Sequence, residues 1–277
     1  MKNKLFDYVE RDNFIYNLSG LTKLSCFLFL TFAVMFSYDI RCILLIMALS
    51  LVFFKMSEIK FSQIKAMLGY VAVFLTINVI LTFILSPMYG TDIYGTTHEI
   101  FRLNDYLIVT QEELLYLITK TMKYASVIPL GMMFLLTTNP SEFAASINRI
   151  GISYKGAYAF ALTLRYFPDM IRNYNDISLA QQSRGLDLSK KEKLMTRIKN
   201  IMNICVPLIF STLDKIELIS NAMDLRGFGK NKKRTWYAAK PLKQSDFGAM
   251  AFCGALFALT LAVSAFVNHS RFWNPFL

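Results

Sequence analysis

The sequence is poor in the residues from which catalytic and metal sites are commonly built. Its two histidines, His98 and His269, form no metal-ligand spacing with each other or with a cysteine. The four cysteines lie in or beside apolar segments, without the paired short spacing of a zinc site or a disulfide framework. No nucleophile and base stand together near the apolar segments, which argues against an intramembrane enzyme. We therefore expect no catalytic residues and no metal site on this chain.

A phosphate-binding loop is missing as well. The pattern G-x-x-x-x-G-K-[ST] does not occur, because Gly227 and Gly229 precede Lys230 with the wrong spacing. Nucleotide is therefore expected to bind on another chain, and no cofactor is expected on this one. The N-terminus also lacks the apolar core and cleavage site of a signal peptide, since three acids interrupt its first twelve residues.

Acidic residues are scarce: 19 Asp and Glu stand against 30 Lys and Arg, which gives a net charge of +11. Hydrophobic residues make up 55% of the chain and the mean hydropathy is +0.40, above the roughly 45–50% apolar content of soluble domains. The excess indicates a membrane protein with a sizeable polar part. Residues 140–245 hold 18 bases and 8 acids, and this basic block marks the cytoplasmic side without requiring nucleic acid.

Five apolar runs predict an all-α polytopic membrane protein with about five transmembrane helices. The runs are 24–38, 42–54, 66–85, 114–138 and 247–267. The first two are shorter than the roughly 20 residues that span a bilayer, unless flanking lysines such as Lys23 and Lys55 extend to the membrane surface. A single re-entrant hairpin is the alternative for these two runs. Lys120 and Lys123, inside the fourth run, are expected to reach the surface in the same way or to contact a partner protein.

The charges of the connections orient these helices. Residues 86–113 carry five acids and one arginine and are predicted to lie outside, whereas the connection 55–65 is basic and is predicted to lie inside. Five spans of the cell membrane, with the N-terminus cytoplasmic and the C-terminus outside, satisfy every connection. The predicted organisation is a four-span region over 1–138, a cytoplasmic or membrane-surface region over 139–245, and a final span with an outer tail over 246–277.

The basic block predicts three helices. The first starts at Pro140 and ends near Arg149, the second extends over 153–183, and the third begins near Ser189 and extends toward Leu225. The last two each have an apolar stripe and too many charges to span, so we expect them to pack on each other and against the membrane surface. Their stripes include Phe160, Leu164, Phe167, Ile209, Leu213 and Ile216.

Two seven-residue segments, 180–186 and 222–228, share one pattern: Ala, three residues, Arg, Gly and an apolar residue. Glycine after a helix end is a common C-cap, and arginine in the last turn complements the helix dipole, so capping alone is one interpretation. The duplication at the ends of two cytoplasmic helices favours docking on an acidic partner through the bidentate guanidinium fork. In that interpretation the apolar residues, Leu186 and Phe228, are available to enter pockets of the partner.

These segments are similar to the transmembrane T component of energy-coupling factor (ECF) transporters, a class of ABC importer. The resemblance also covers GLTKL at 20–24, before the first span, and TNPSEF at 138–143, which opens the basic block. It continues through RYFP at 165–168, ahead of the first Arg-Gly segment. The matching segments occur in the same order over most of the chain.

The resemblance implies a coupling subunit whose membrane spans hold a separate substrate-binding S component. It implies that Arg184 and Arg226, supported by Gly185 and Gly227, engage two cytoplasmic ABC ATPase subunits at the ends of crossing helices. ATP and Mg would then be bound by those partner chains. The substrate, a vitamin, a vitamin precursor or a transition-metal ion, would be chosen by the S component.

The first position of each Arg-Gly tripeptide departs from the family pattern, since Ser183 and Leu225 stand where alanine is typical. Serine is a small change, whereas Leu225 alters the packing expected at the second site. The implied mechanism is mechanical: ATP closes the ATPase dimer, the two Arg-Gly ends follow their subunits, and the crossed helices change angle. The apolar stripes described above would transmit that motion to the S component.

Two other functions are compatible with a basic, polytopic chain. A conventional ABC permease subunit would carry its own substrate path and one cytoplasmic coupling loop, rather than two similar helix ends. A membrane-anchored scaffold would have no ATPase partners. Identifying the chains that co-purify with the protein after detergent extraction distinguishes both alternatives from a T component.

Overall fold

A computed structural model describes residues 13–59, 61–102, 108–186, 194–231, 235–236, 239–268 and 272–275. The chain divides into two compact units. The first comprises the residues up to Glu142 together with those from Lys240 onward, and the second comprises Phe143–Ala239. The predicted spans lie in the first unit, and both Arg-Gly segments lie in the second.

The described residues are mostly helical, as predicted. The helices are α1 Phe14–Asn17, α2 Gly20–Phe36, α3 Ile40–Met56, α4 Phe61–Leu85, α5 Tyr89–Tyr94, α6 Gln111–Thr137, α7 Pro140–Arg149, α8 Tyr154–Ser183, α9 Leu194–Leu225 and α10 Gln244–Ala262. A π-helical turn, Val263–Val267, extends α10, and an antiparallel ribbon pairs β1 Glu99–Arg102 with β2 Ile108–Thr110. Helices α2, α3, α4, α6 and α10 coincide with the five predicted apolar runs.

Two helical segments in the described part of the chain are long and apolar enough to cross a membrane. They are Met67–Leu85 within α4 and Gln244–Val267, and Gly20–Phe36 is a shorter apolar helix. These helices are consistent with a helical membrane protein. The count of five spans stays a prediction, because the remaining helices are shorter or carry more charge.

Hydrogen bonds at both ends of α2 and α6 show that these helices are antiparallel. Lys23, near the start of α2, donates to the carbonyl oxygen of Thr137 at the end of α6, over 2.8 Å. Lys123, in the first half of α6, donates to the carbonyl oxygen of Met35 near the end of α2, over 2.6 Å. Because consecutive spans cross a membrane in opposite directions, the predicted topology requires the first and fourth runs to be antiparallel.

Helices α2 and α10 are instead parallel neighbours. At their starts, the Thr22 hydroxyl donates to Asp246 over 2.8 Å, and beyond their ends the Asn268 amide donates to Asp39 over 3.0 Å. Burial raises the pKa of Asp39, but hydrogen bonds from Arg41 and Asn268 outweigh it and hold that pKa below its usual value. Two parallel neighbours cross a membrane in the same direction, as the first and fifth of five spans must.

Three lysines in or beside the apolar runs make polar contacts inside the bundle. Lys23 and Lys123 are only 7% and 4% exposed, and each donates to a carbonyl oxygen inside the bundle. Lys120, half-buried, donates to the Thr82 hydroxyl of α4 over 2.7 Å. A neighbouring helix thus supplies a polar partner for each of these lysines.

A buried carboxylate joins the start of α2 to the start of α10. Asp246 is 1% exposed and accepts hydrogen bonds from the Ser19 amide (2.9 Å), the Thr22 hydroxyl (2.8 Å) and the Lys243 amide (2.8 Å). Lipid tails are as apolar as leucine, so helices in a bilayer gain little from the hydrophobic effect between them. Packing and buried hydrogen bonds such as these therefore specify which helices meet.

The apolar core of the first unit forms where four helices meet. Leu30 and Val34 of α2 pack with Ile46 of α3, Leu130 of α6 and Cys253 of α10, and all five are buried. Their close packing supplies the dispersion contacts that hold a helical bundle together in lipid. Helix α2 consequently lies between α3, α6 and α10.

Acidic side chains order the connection between α4 and α6. Glu113 accepts from the Gly90 amide over 2.7 Å, and a Cβ at Gly90 would lie 2.6 Å from the Glu113 Cα, so glycine is required there. Glu112 pairs with Nδ1 of His98 at 2.6 Å, and the His98 side chain remains 55% exposed. This connection is the segment that the sequence predicts to lie outside.

The second unit is built on the antiparallel pair of α8 and α9. The Thr212 hydroxyl donates to the Met170 sulfur over 3.3 Å, and Lys215 forms an ion pair with Asp169 at 3.3 Å. The predicted bounds of α7 and α8 and the predicted end of α9 are confirmed, whereas the predicted start of α9 near Ser189 lies outside the described residues. Both α8 and α9 continue through an internal proline.

Candidate partner-docking site

The first Arg-Gly segment closes α8 with a left-handed glycine cap. Gly185 has φ 89°, and its amide donates to the Gln182 carbonyl oxygen over 2.9 Å. The Leu186 amide donates to the Gln181 carbonyl oxygen over 3.1 Å. These two bonds satisfy carbonyls that the end of a helix leaves without partners. Arg184 is the residue at the C-cap position.

The second Arg-Gly segment repeats this geometry at the end of α9. Gly227 has φ 70°, its amide donates to the Asp224 carbonyl oxygen over 2.9 Å, and the Phe228 amide donates to the Met223 carbonyl oxygen over 3.0 Å. Arg226 therefore occupies the same position as Arg184. The repeated sequence produces a repeated backbone, which confirms the capping interpretation and leaves docking compatible with it.

Both arginines are presented to solvent at these fixed ends. Arg184 and Arg226 are exposed, and neither has an ion-pair partner among the described residues. Ser183 is exposed, and its hydroxyl donates to the Leu179 carbonyl oxygen over 3.0 Å. Leu225 is 91% exposed. Each end thus offers an unpaired guanidinium on a rigid support, and the second adds a large apolar side chain.

The two helix ends lie far apart within the second unit. Phe228, just beyond α9, packs on Tyr154 and Tyr158 at the start of α8, with ring centroids 5.6 and 4.9 Å apart. Arg226 therefore lies near the start of α8, while Arg184 lies at its end. Helix α8 has 30 residues, which correspond to about 45 Å. The two Arg-Gly ends are therefore separate surfaces of the second unit.

Phe228, the apolar residue after the second glycine, packs within its own chain, and its entry into a partner pocket stays a prediction. Its ring is half-buried against Tyr154 and Tyr158 of the same chain. Apolar contacts of the residue after a glycine cap are common, because they fix the direction in which the chain leaves the helix. Leu186 is also half-buried, so the arginines are the side chains that stand free at both ends.

The predicted apolar stripes of α8 and α9 are largely exposed within the second unit. Only Leu164 is half-buried, and the exposed fractions of the others range from 44% for Phe160 to 57% for Phe167. The exposed members on α9 are Ile209, Leu213 and Ile216. These stripes are consequently not the seam between α8 and α9, which includes the Thr212 and Lys215 contacts. They remain available as an apolar surface for a membrane partner.

Sequence reasoning missed a small polar pocket beside the second helix end. Its volume is about 250 Å³, and its lining consists of Tyr154, Arg226, Gly227, Gly229 and Asn231. Tyr154 comes from the start of α8, so only the antiparallel packing brings it to Arg226. The described residues contain no group of three or more His, Cys, Asp or Glu side chains that could hold a metal ion.

Replacing Gly185 by alanine is expected to lower the local stability of the end of α8 by about 1 kcal/mol, because an L-residue is strained in the left-handed region. No atom lies within 4 Å of the added Cβ, so the effect isolates the backbone. Hydrogen exchange at the Gly185 and Leu186 amide positions should accelerate about fivefold. Gly156→Ala, inside α8, is the control that should leave these two amides unchanged. Unchanged exchange in Gly185→Ala would contradict the left-handed cap.

The chain has relatives among known proteins. The family of cobalt transport proteins, CbiQ, matches residues 11–237. An energy-coupling factor transporter transmembrane protein EcfT of Clostridium kluyveri is 24% identical over 274 residues, 96% of each chain. The protein of the same name from Staphylococcus aureus is 24% identical over 247 residues, 86% of this chain and 88% of that protein.

A further relative has a different name. A putative ABC transporter ATP-binding protein of Bifidobacterium longum is 28% identical over 167 residues, which are 57% of this chain and 21% of that protein. The similar stretch is therefore a small part of that longer protein.

Proposed function

Because the chain belongs to the family of cobalt transport proteins, CbiQ, we propose that it is the transmembrane T component of an energy-coupling factor transporter. The EcfT relatives from two bacteria align with nearly its full length. The observation that carries the proposal is the pair of matching, exposed Arg-Gly helix ends. They give one chain two similar contact points, which a subunit that couples two ATPases needs.

The two arginines are the proposed docking residues. Arg184 engages one cytoplasmic ATPase and Arg226 the other, each through a bidentate contact with a carboxylate. ATP and Mg are bound by these partner chains, and this chain contributes no catalytic residue. The similarity to part of an ABC transporter ATP-binding protein supports an ATPase partner. Closure of the ATPase dimer then moves the two ends of the α8–α9 pair relative to each other.

The exposed apolar stripes are proposed to receive the S component. Side chains such as Phe167 and Leu213 are too exposed for a solvated helix pair, and a hydrophobic membrane partner would cover them. Motion of the docked ends reaches the substrate-binding chain through this surface. The substrate is proposed to be a micronutrient, a vitamin, a precursor or a metal ion, and the family's description as cobalt transport proteins supports the last of these.

The proposed topology has five spans in the cell membrane, with the N-terminus cytoplasmic and the C-terminus outside. The antiparallel relation of α2 to α6 and the parallel relation of α2 to α10 both support it. In this topology residues 1–138 provide four spans, 139–245 lie at the cytoplasmic side, and 246–277 provide the last span and an outer tail.

Extraction in mild detergent tests the function directly. The tagged chain should bring along two ATPase chains and one small hydrophobic S component, in a stable complex seen by size-exclusion chromatography and mass spectrometry. An unrelated tagged membrane protein of similar size, extracted from the same cells, is the control. Recovery of the chain without ATPases would contradict the proposal and favour a scaffold. Recovery with ATPases and substrate binding to this chain alone would favour a conventional permease.

A further inference from the structure

An apolar cavity lies within the first unit, among the helices that form its core. Its volume is about 550 Å³, within the roughly 300–1,000 Å³ typical of ligand pockets. Its walls are almost entirely apolar and come from α1, α2, α3, α6 and α10. Walls of this kind favour apolar ligands. The contacts of the proposed docking site do not involve it.

The polar lining residues all lie at one end of the cavity. They are Lys23 at the start of α2, Thr137 at the end of α6 and Ser245 at the start of α10. This is the end of the bundle that leads into the basic block. The cavity thus has a polar end at the predicted cytoplasmic headgroup level.

The apolar lining residues lie deeper on the same three helices. Leu30 is seven residues beyond Lys23, Leu130 is seven residues before Thr137, and Cys253 is eight residues beyond Ser245. Each separation corresponds to about 10–12 Å along a helix. The cavity therefore extends to a similar depth along all three helices. This shape fits an acyl chain that enters the bilayer core from the headgroup level.

Lysines outnumber acids at the polar end. Lys23 donates to the carbonyl oxygens of Tyr16 and Thr137, and its ammonium also lies 5.8 Å from the centre of the Tyr16 ring. Lys240 donates to the same Tyr16 oxygen and pairs with Glu142 at 3.0 Å. The exposed Lys243 adds a third cation beside this end. The other nearby acid is Asp246, which accepts three hydrogen bonds, so three lysines face two acids at this end.

We propose that this cavity binds one acyl chain of an anionic phospholipid, with the headgroup at the Lys23 end. The bilayer supplies such chains at high local concentration, and basic clusters at the cytoplasmic side of helices attract anionic headgroups. The apolar walls contact the acyl chain, and the lysines contact the anionic headgroup.

Two glycines of α10 provide a matched pair of variants. An added Cβ meets no atom within 4 Å at either Gly248 or Gly254, but only Gly248 lines the cavity. Gly248→Leu should therefore place a side chain at the cavity wall, whereas Gly254→Leu should add the same side chain elsewhere on the helix.

The first measurement is phospholipid phosphorus per purified full-length chain after exhaustive detergent exchange. We expect about one retained phospholipid per chain for the wild type and for Gly254→Leu. For Gly248→Leu we expect phospholipid binding to be at least about tenfold weaker, because the leucine displaces methylene groups of the acyl chain from the cavity wall. Equal retention by Gly248→Leu and Gly254→Leu would overturn the proposal, as would a wild type that retains no phospholipid.

The second measurement does not depend on how Gly248→Leu folds. Cys26 lines the cavity, so a variant that keeps only this thiol (Cys42→Ser, Cys205→Ser, Cys253→Ala) reports on occupancy. Phosphatidylglycerol added to the delipidated protein should slow labelling of Cys26 by N-ethylmaleimide about tenfold, and phosphatidylcholine should slow it less. Labelling that neither lipid slows would overturn the site, and equal protection by both would overturn the preference for an anionic headgroup.

Discussion

Arg184→Glu and Arg226→Glu together are expected to remove both ATPase subunits from the purified chain, and each single reversal to release one of them. The wild-type guanidiniums are exposed, fixed by glycine caps and free of ion pairs in the described part of the chain. Losing one side of a hydrogen-bonded charge pair at an interface costs about 2–5 kcal/mol, or at least about thirtyfold in Kd. Reversal adds repulsion from the acidic partner.

The test is a pull-down of the extracted complex, with each ATPase chain counted separately. Arg172→Glu is the matched control, because it makes the same charge change on an exposed position in α8, away from both Arg-Gly ends. This control should retain both ATPases, and all variants should insert into the membrane equally. If Arg172→Glu weakens binding as much as Arg184→Glu, the general positive charge of α8 attracts the ATPases and the helix end has no special role.

Asp246→Ala is expected to lower the free energy of unfolding by about 3–5 kcal/mol. The carboxylate is 1% exposed and accepts three hydrogen bonds, so its removal leaves the Ser19 amide, the Thr22 hydroxyl and the Lys243 amide without a buried partner. Thermal unfolding in detergent, followed by circular dichroism, should show a clear drop in midpoint. Asp246→Asn should lose less, because one acceptor oxygen remains.

Asp169→Ala is the control for the loss of a carboxylate. Asp169 pairs with Lys215 at 3.3 Å, but the two side chains are 47% and 41% exposed. Exposed ion pairs contribute at most about 1 kcal/mol, so this variant should unfold close to the wild type. Equal midpoints for Asp246→Ala and Asp169→Ala would show that the buried network does not hold α2 to α10.

Local sequence signals predicted the helices of the second unit well. The predicted helix over 153–183 agrees with α8, and the Ser153 hydroxyl accepts from the Gly156 amide at its start. The two Arg-Gly ends followed from the glycine after each helix. Such signals act between residues a few positions apart, so one sequence suffices to find them.

The buried polar contacts could not be predicted in the same way. The partner of Thr22 is Asp246, and that of Lys23 is Thr137, so each pair joins residues more than a hundred positions apart. A lysine at the end of an apolar run gives the same local pattern whether it reaches the headgroups or a neighbouring carbonyl. The acid in the first turn of α10 was the one available signal, because it resembles a capping residue.

Phe228 illustrates the same limit at the docking site. Its position after Gly227 predicted an apolar side chain free to meet a partner, and its ring instead packs on the start of α8. The sequence contained both halves of this contact, but not the antiparallel arrangement that joins them.

The link between α2 and α10 also bears on the biogenesis of the protein. Thr22 and Asp246 are 224 positions apart, and Asp39 and Asn268 are 229 positions apart. At about 5–20 residues per second, the ribosome needs roughly 10–45 s to add the second member of each pair. During that interval Thr22 and Asp39 lack the partners that Asp246 and Asn268 later supply. The last helix to emerge is therefore the one that completes the contacts of the first.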